Sequence, residues 1–229
     1  MGMRKYSFEL LNHALSGIGL PNMVYRKHAD PLEASSLFGL VVLELGCQVV
    51  RETGDEPAKT FFVEYGAEHW SIDLNASYGS LPIDLATTGT CAEIKEATGH
   101  AQFGLITNYG TTEHFCPIET QRQAFKNIHD MCCEGGMMLH ECPMAGYCRG
   151  HSPAHYHSDF FSRLATACGY EVVCNIRNGP QPNKMNTACV LRKTSHGFCS
   201  LGDFPLDRIE WKDGDGYGGM FYDHNKASH

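Results

Sequence analysis

The sequence is short of cations: 18 Lys+Arg stand against 26 Asp+Glu in 229 residues, a formal net charge of −8. A phosphate-backbone footprint needs clustered positive charge, so no nucleic-acid partner is expected. Long hydrophobic runs are also missing. The longest, Leu37 to Leu43 with Gly39 inside it, falls far short of the roughly 20 residues a membrane span requires, and no membrane partner is expected. The 11 cysteines are odd in number and contain no Cys-x-x-Cys pair, and no apolar stretch follows Met1. These absences predict reduced thiols in a cytoplasmic protein rather than disulfides or a zinc ribbon.

What is present alternates. Phe8, Leu11 and Leu15 fall on one helical stripe that Gly17, Gly19 and Pro21 end. Val41 to Leu45, closed by Gly46, is an apolar run of the kind buried on both faces of a parallel sheet. A helix follows, with Pro57 at its first position, Phe61, Phe62 and Tyr65 inward and Gly66 as its stop. Further strands are expected at His69 to Asp73, Leu81 to Leu85, Phe103 to Asn108 and Met137 to Cys142. Helices are expected over 92–98, over 117–133 with Ile118, Gln121, Phe125, Ile128 and Cys132 on one stripe, and over 159–168. The Glu134-Gly135-Gly136 step should end the second of these.

Two last strands, Tyr170 to Ile176 and Thr187 to Arg192, are joined by the turn-formers Asn178 to Asn183, with Pro180 and Pro182 among them. That link is too short for a crossover helix, so the pair should be antiparallel. Five strand–helix units and a final hairpin predict a doubly wound α/β fold in three layers, α/β/α, with a mostly parallel sheet and one reversed strand near an edge. Residues 1–37 read as a helical cap, 38–195 as the main domain, and 196–229, which hold Phe204, Trp211, Tyr217, Phe221 and Tyr222, as a loop-rich extension packed on it.

Ligands of such sheets bind outside the carboxyl ends of the strands. At the first end, Glu44-Leu45-Gly46-Cys47-Gln48 has one glycine where a dinucleotide fold carries Gly-x-Gly-x-x-Gly, which argues against NAD. Asp73, at the second, has the acceptor-only chemistry a ribose diol needs, and Asp84 at the third can accept from an adenine amino group. After the fourth strand come Glu113 and His114, and an imidazole titrates close to neutral pH. The stretch His151 to His157 follows the fifth. His151, His155 and His157 admit two readings: a zinc or iron site with Glu113 or His114 as a further ligand, or closure of a substrate pocket by His151 and Tyr156. Pro153 opposes the helix on which a His-x-x-x-His pair usually binds metal.

Phe103 to His114, Phe125 to His129, Glu134 to His140 and Cys142-Pro143 together resemble the second half of a class I S-adenosylmethionine-dependent methyltransferase, and the likeness extends over about Val41 to Lys193. It implies a Rossmann-like, seven-stranded sheet and S-adenosylmethionine as cofactor. Glu44 and Gly46 then correspond to the first motif, with Gln48 toward the cofactor's amino-acid end. Asp73, with Leu74, corresponds to the ribose-binding acid, Asp84, with Leu85, to the adenine side, and Asn108, Tyr109 and Gly110 to the loop facing the sulfonium. The resemblance implies O- or N-methylation of a small-molecule acceptor, with His114, Glu113 or His151 handling its proton, and is compatible with a homodimer. A non-catalytic cofactor-binding partner subunit and a metal-dependent hydrolase or lyase built on His151, His155 and His157 are the alternatives.

Overall fold

The computed structural model describes residues 2–23, 36–51, 54–117, 119–147, 151–181, 184–211 and 222–223. Ile118, Pro182, Asn183, Tyr217 and Phe221, named above, lie outside them, as do the side chains of Pro180 and Tyr222. In chain order the elements are α1 (Lys5–Gly17), β1 (Val41–Leu45), β2 (Val49–Val50), β3 (Glu56–Pro57), α2 (Ala58–Glu64), β4 (Glu68–Ile72), α3 (Thr90–Thr98), β5 (Phe103–Asn108) and β6 (Phe115–Cys116). They continue with α4 (Glu119–Met131), β7 (Cys132–Pro143), β8 (Ala154–Tyr156), α5 (Phe160–Cys168), β9 (Glu171–Gln181), β10 (Lys184–Arg192), β11 (Ile209–Trp211) and β12 (Tyr222–Asp223).

Six strands make the central sheet in the order β4-β1-β5-β7-β10-β9. β4, β1, β5 and β7 run parallel, and β10 is antiparallel to both β7 and β9, so the reversed strand lies one in from the edge as expected. Alternating side chains serve two cores. Val42, Leu105, Leu139 and Val190 pack beneath α1 and α2, whereas Leu43, Ile106, Met138 and Leu191 pack beneath α3, α4 and α5. Burial on both faces is why these strands read as continuous apolar runs. Cys199, Phe204 and Ile209 join the second core, and β11 pairs with β8.

The structure corrects four local expectations. The seventh strand, at Leu81 to Leu85, is reduced to one parallel bridge between Ile72 and Leu81. Pro82 has no N–H to donate, and Asp84 Oδ1 accepts the Ala86 N–H at 2.8 Å, a local turn that competes with pairing. Pro57 precedes α2 and belongs to β3, which pairs with β2. α4 ends at Met131, and Cys132, Cys133, Glu134, Gly135 and Gly136 already belong to β7, where the Gly135 N–H donates to Lys193 O and the Lys193 N–H to Gly136 O, both at 2.9 Å. The final hairpin is longer than its turn-formers suggest, with β9 running to Gln181 and β10 starting at Lys184. β9 is an edge strand, where a proline's missing N–H need break no ladder bond. Gly179 is required there, since a Cβ would lie 2.1 Å from Lys184 O.

Candidate functional site

The chain leaves β1 toward β4 on one side and returns through β5 on the other, so the winding reverses at β1. The crevice outside that point is built from three loops. Gly46, at φ +75°, turns the chain out of β1, and its N–H donates to Ile72 O at 2.8 Å. A Cβ on Gly46 would lie 2.5 Å from Thr111 Oγ1 and 2.9 Å from Gln48 Nε2, so this close approach needs glycine. Asp73 Oδ2 accepts the Cys47 N–H at 2.8 Å and Oδ1 accepts the Asn75 N–H at 2.9 Å. Thr111 Oγ1 donates to Leu45 O at 2.6 Å. The loops after β1, β4 and β5 are thereby tied to one another.

Glu44 is buried and turned inward. Its Oε1 accepts the Gln48 N–H at 2.9 Å, and its Oε2 lies 3.5 Å from Nε2 of buried His69, whose ring stacks on Phe62. Gln48 is buried too, with Nε2 directed at Leu45 O and Thr111 Oγ1 at 3.3 and 3.4 Å. Both shape the loop from behind. Asp73 and Leu74 are half-buried at its mouth. Asp84 is half-buried as well, and Leu85 is buried, its carbonyl taking a 2.7 Å bond from Asn127 Nδ2 of α4, which also reaches Thr87 O at 2.7 Å. Cys47 sits beside this crevice with its thiol pushed up to about 11 by burial and by the carboxylates of Glu44 and Asp73, so it is protonated near neutral pH.

Asn108, at the end of β5, is fully buried. Its Oδ1 accepts the backbone N–H groups of Thr111 and Thr112 at 3.0 and 3.4 Å, and its Nδ2 donates to Thr112 Oγ1 at 2.9 Å and faces His140 Nδ1 at 3.2 Å. Tyr109 turns into the core shared with α1 and α2, and Gly110, at φ +81°, reverses the chain. Gln121 Nε2 holds the loop's far side through Thr112 O at 2.7 Å and Phe115 O at 3.1 Å. Tyr156 is fully buried rather than lining a pocket, its hydroxyl bonded to Gln121 Oε1 at 2.7 Å and Thr112 Oγ1 at 2.9 Å.

This scaffold presents Glu113, His114 and His151 together. Oε1 of fully buried Glu113 lies 3.5 Å from His151 Nε2 and 3.7 Å from His114 Nε2, and the imidazoles are 5.3 Å apart edge to face. Burial pushes the Glu113 carboxyl up, but contact with His151 and the charges of both imidazoles outweigh it and hold the group below its ordinary value. His155 and His157 do not join them. His155 is buried in β8 and His157 is exposed, and among the described residues only Glu113, His114 and His151 come together, so the expected site of His151, His155 and His157 with Glu113 or His114 does not form. Thr111, Thr112 and Gln121 went unforeseen, because the bonds that make them matter reach backbone carbonyls and neighbouring side chains distant in sequence. His140 and His129 are structural. Burial pushes His140 down to about 3, and burial followed by the charge of Lys193 pushes His129 down to about 4.

No protein-family profile matches the sequence, and no curated protein matches it. Solved structures do. The N-methyltransferase NodS from Bradyrhizobium japonicum WM9 in complex with S-adenosyl-L-homocysteine aligns over 83% of this chain and 88% of its own, at 16% identity and a TM-score of 0.54. A second structure of NodS aligns over 83% and 99%, at 16% identity and a TM-score of 0.50. At such identity the likeness is one of architecture, and it agrees with the sheet order described above: this chain has the Rossmann-like fold of the S-adenosylmethionine-dependent methyltransferases.

Proposed function

We propose that the protein is an S-adenosylmethionine-dependent methyltransferase that modifies oxygen or nitrogen of a small-molecule acceptor. One observation carries the proposal: the loops after β1, β4 and β5 are tied together by Asp73, Thr111 and the close approach at Gly46, at the switch point where such sheets bind nucleotide-like ligands. The shared fold supports it, since NodS is an N-methyltransferase that binds the demethylated cofactor. The residues present fit the cofactor. Each oxygen of half-buried Asp73 takes one backbone bond and keeps acceptor capacity for a ribose hydroxyl. Leu74, Asp84 and Leu85 would flank the adenosine, and Asn108 to Gly110 would shape the loop toward the methionine end, with Glu44, Gly46 and Gln48 behind it.

The cofactor supplies a methyl group already activated on a sulfonium, so the chain's tasks are to align the acceptor and to accommodate its proton. Glu113, His114 and His151 are the groups this reading places at the acceptor. His114 and His151 are partly exposed, within reach of a ligand, while Glu113 fixes both rings from behind. The acidic balance of the chain favours a small molecule over a nucleic acid, and the reading places the protein in the cytoplasm. Calorimetry with S-adenosylmethionine and with its demethylated product tests it. Saturable binding of both is expected, and binding of neither removes it. Size-exclusion chromatography with light scattering tests the accompanying expectation of a homodimer.

A further inference from the structure

We propose that Glu113, His114 and His151 bind a divalent first-row transition-metal ion, of the zinc, manganese or iron(II) type, beside the cleft. Three ligand atoms, one from each residue, lie within 4.8 Å of one another. Glu113 is fully buried, and its carboxylate makes no hydrogen bond of good geometry, only the long contacts to His151 and His114. An ionised carboxylate taken out of water without donors is a strongly unfavourable arrangement unless a charge compensates it. The two imidazoles aim Nε2 at Oε1 but stop at 3.5 and 3.7 Å. A direct imidazolium–carboxylate hydrogen bond would close to about 2.8 Å. Around an ion with ligand bonds of about 2.1 Å, neighbouring ligands stand about 3.0 Å apart in octahedral and about 3.4 Å in tetrahedral geometry. The observed separations are nearer to these edges than to an ion pair.

The donor chemistry points the same way. Two imidazoles and one carboxylate suit zinc, iron(II) or manganese rather than calcium or magnesium, which favour all-oxygen sets. The buried ligand is held on the turn 112–114 by Thr112 and Gln121, whereas His114 and His151 keep 22% and 35% of their side-chain surfaces exposed. A site with three protein ligands leaves coordination positions open to a substrate. Resting on the methyl-transfer reading, its occupant would be an oxygen-bearing acceptor, whose coordinated hydroxyl is acidified by the ion and releases its proton to water, His114 Nε2 then being a ligand.

The test uses the full-length protein, dialysed against a chelator and titrated with Zn2+ or Mn2+ alone, with bound metal measured by elemental analysis. About one equivalent is expected for at least one ion, with Glu113→Gln and His151→Ala each weakening binding on the order of 100-fold or more. His157→Ala, outside the cluster, should bind as wild type does. Partly exposed His151 keeps the test decisive if Glu113→Gln does not fold by circular dichroism. No stoichiometric binding of either ion, unchanged affinity in His151→Ala, or loss in His157→Ala overturns the site. Cofactor calorimetry on chelated protein is independent of this result, so failure of methyl-donor binding is read separately from failure of metal binding.

Discussion

Asp73 divides its carboxylate between two backbone donors, Cys47 N–H and Asn75 N–H, yet remains half-buried at the mouth of the crevice. It can shape the loop after β1 and take ribose hydroxyls at once, because each oxygen accepts more than one bond. Asp73→Ala should lower S-adenosylmethionine affinity by about 1.5–3 kcal/mol, the range for a hydrogen bond to a charged group, with the same loss for the demethylated product in calorimetry. Equal affinity in the variant would put the ribose elsewhere. Gly46 carries a different burden. At φ +75°, a Cβ there would be both strained and 2.5 Å from Thr111 Oγ1, so Gly46→Ala should destabilise the fold by about 1–3 kcal/mol in urea denaturation. Thr111→Ala in that background removes the nearer of the two clashing atoms and should recover part of the loss; no recovery would assign the effect to φ, to the Gln48 contact and to the lost Thr111–Leu45 bond.

At the scale of elements, the loop between β5 and α4 is held by side chains from three directions: Asn108 at its start, Gln121 from α4 and Tyr156 from β8. Tyr156→Phe deletes a hydroxyl bonded to both Gln121 Oε1 and Thr112 Oγ1, and the accepting Gln121 oxygen loses its donor in a buried site. A stability loss of about 1–3 kcal/mol is expected, along with weaker metal binding at the Glu113 turn; full stability would show that the network is slack. Such ties explain what was legible in the sequence. β1 and β5 could be read because burial on both faces writes apolar runs, the hairpin of β9 and β10 because its link is made of turn-formers, and Glu113, His114 and His151 because they follow strand ends. The shrunken strand at Leu81 could not, since Leu81 to Leu85 keeps strand-like residues while Pro82 and Asp84 undo the pairing. Nor could the exclusion of His155, which depends on β8 pairing with β11 some fifty residues later.

For the whole molecule, buried titratable groups on β7 and α4 set opposing limits to stability with pH. Burial lifts Glu141 from 4.5 to about 7, beyond what contacts with Ser7, Asn186, Arg4 and Asn178 restore. The folded state therefore holds this proton where the unfolded chain has lost it, and the contribution of Glu141 is full below pH 4.5 and declines as pH rises to about 7. His140 and His129 act in the other sense. Their folded values of about 3 and about 4 lie below the ordinary 6.5, so the unfolded chain binds protons first and stability falls as pH drops below 6.5. Below pH 6.5 two histidines oppose one carboxyl, so the balance of these three groups puts the stability maximum near neutral pH, with a fall on the acid side. Glu141→Gln keeps an acceptor for Asn186 Nδ2, which bonds Glu141 Oε1 at 3.0 Å, and removes the charge that must be buried. From pH 5 to pH 8 this variant should gain on the order of 3 kcal/mol relative to the wild type, each tenfold difference in proton affinity between the folded and unfolded chain being worth about 1.4 kcal/mol. Urea denaturation at both pH values checks it: parallel changes in the two proteins would mean that Glu141 is not the group responsible, whereas the acid-side decline from the histidines should persist unchanged in the variant.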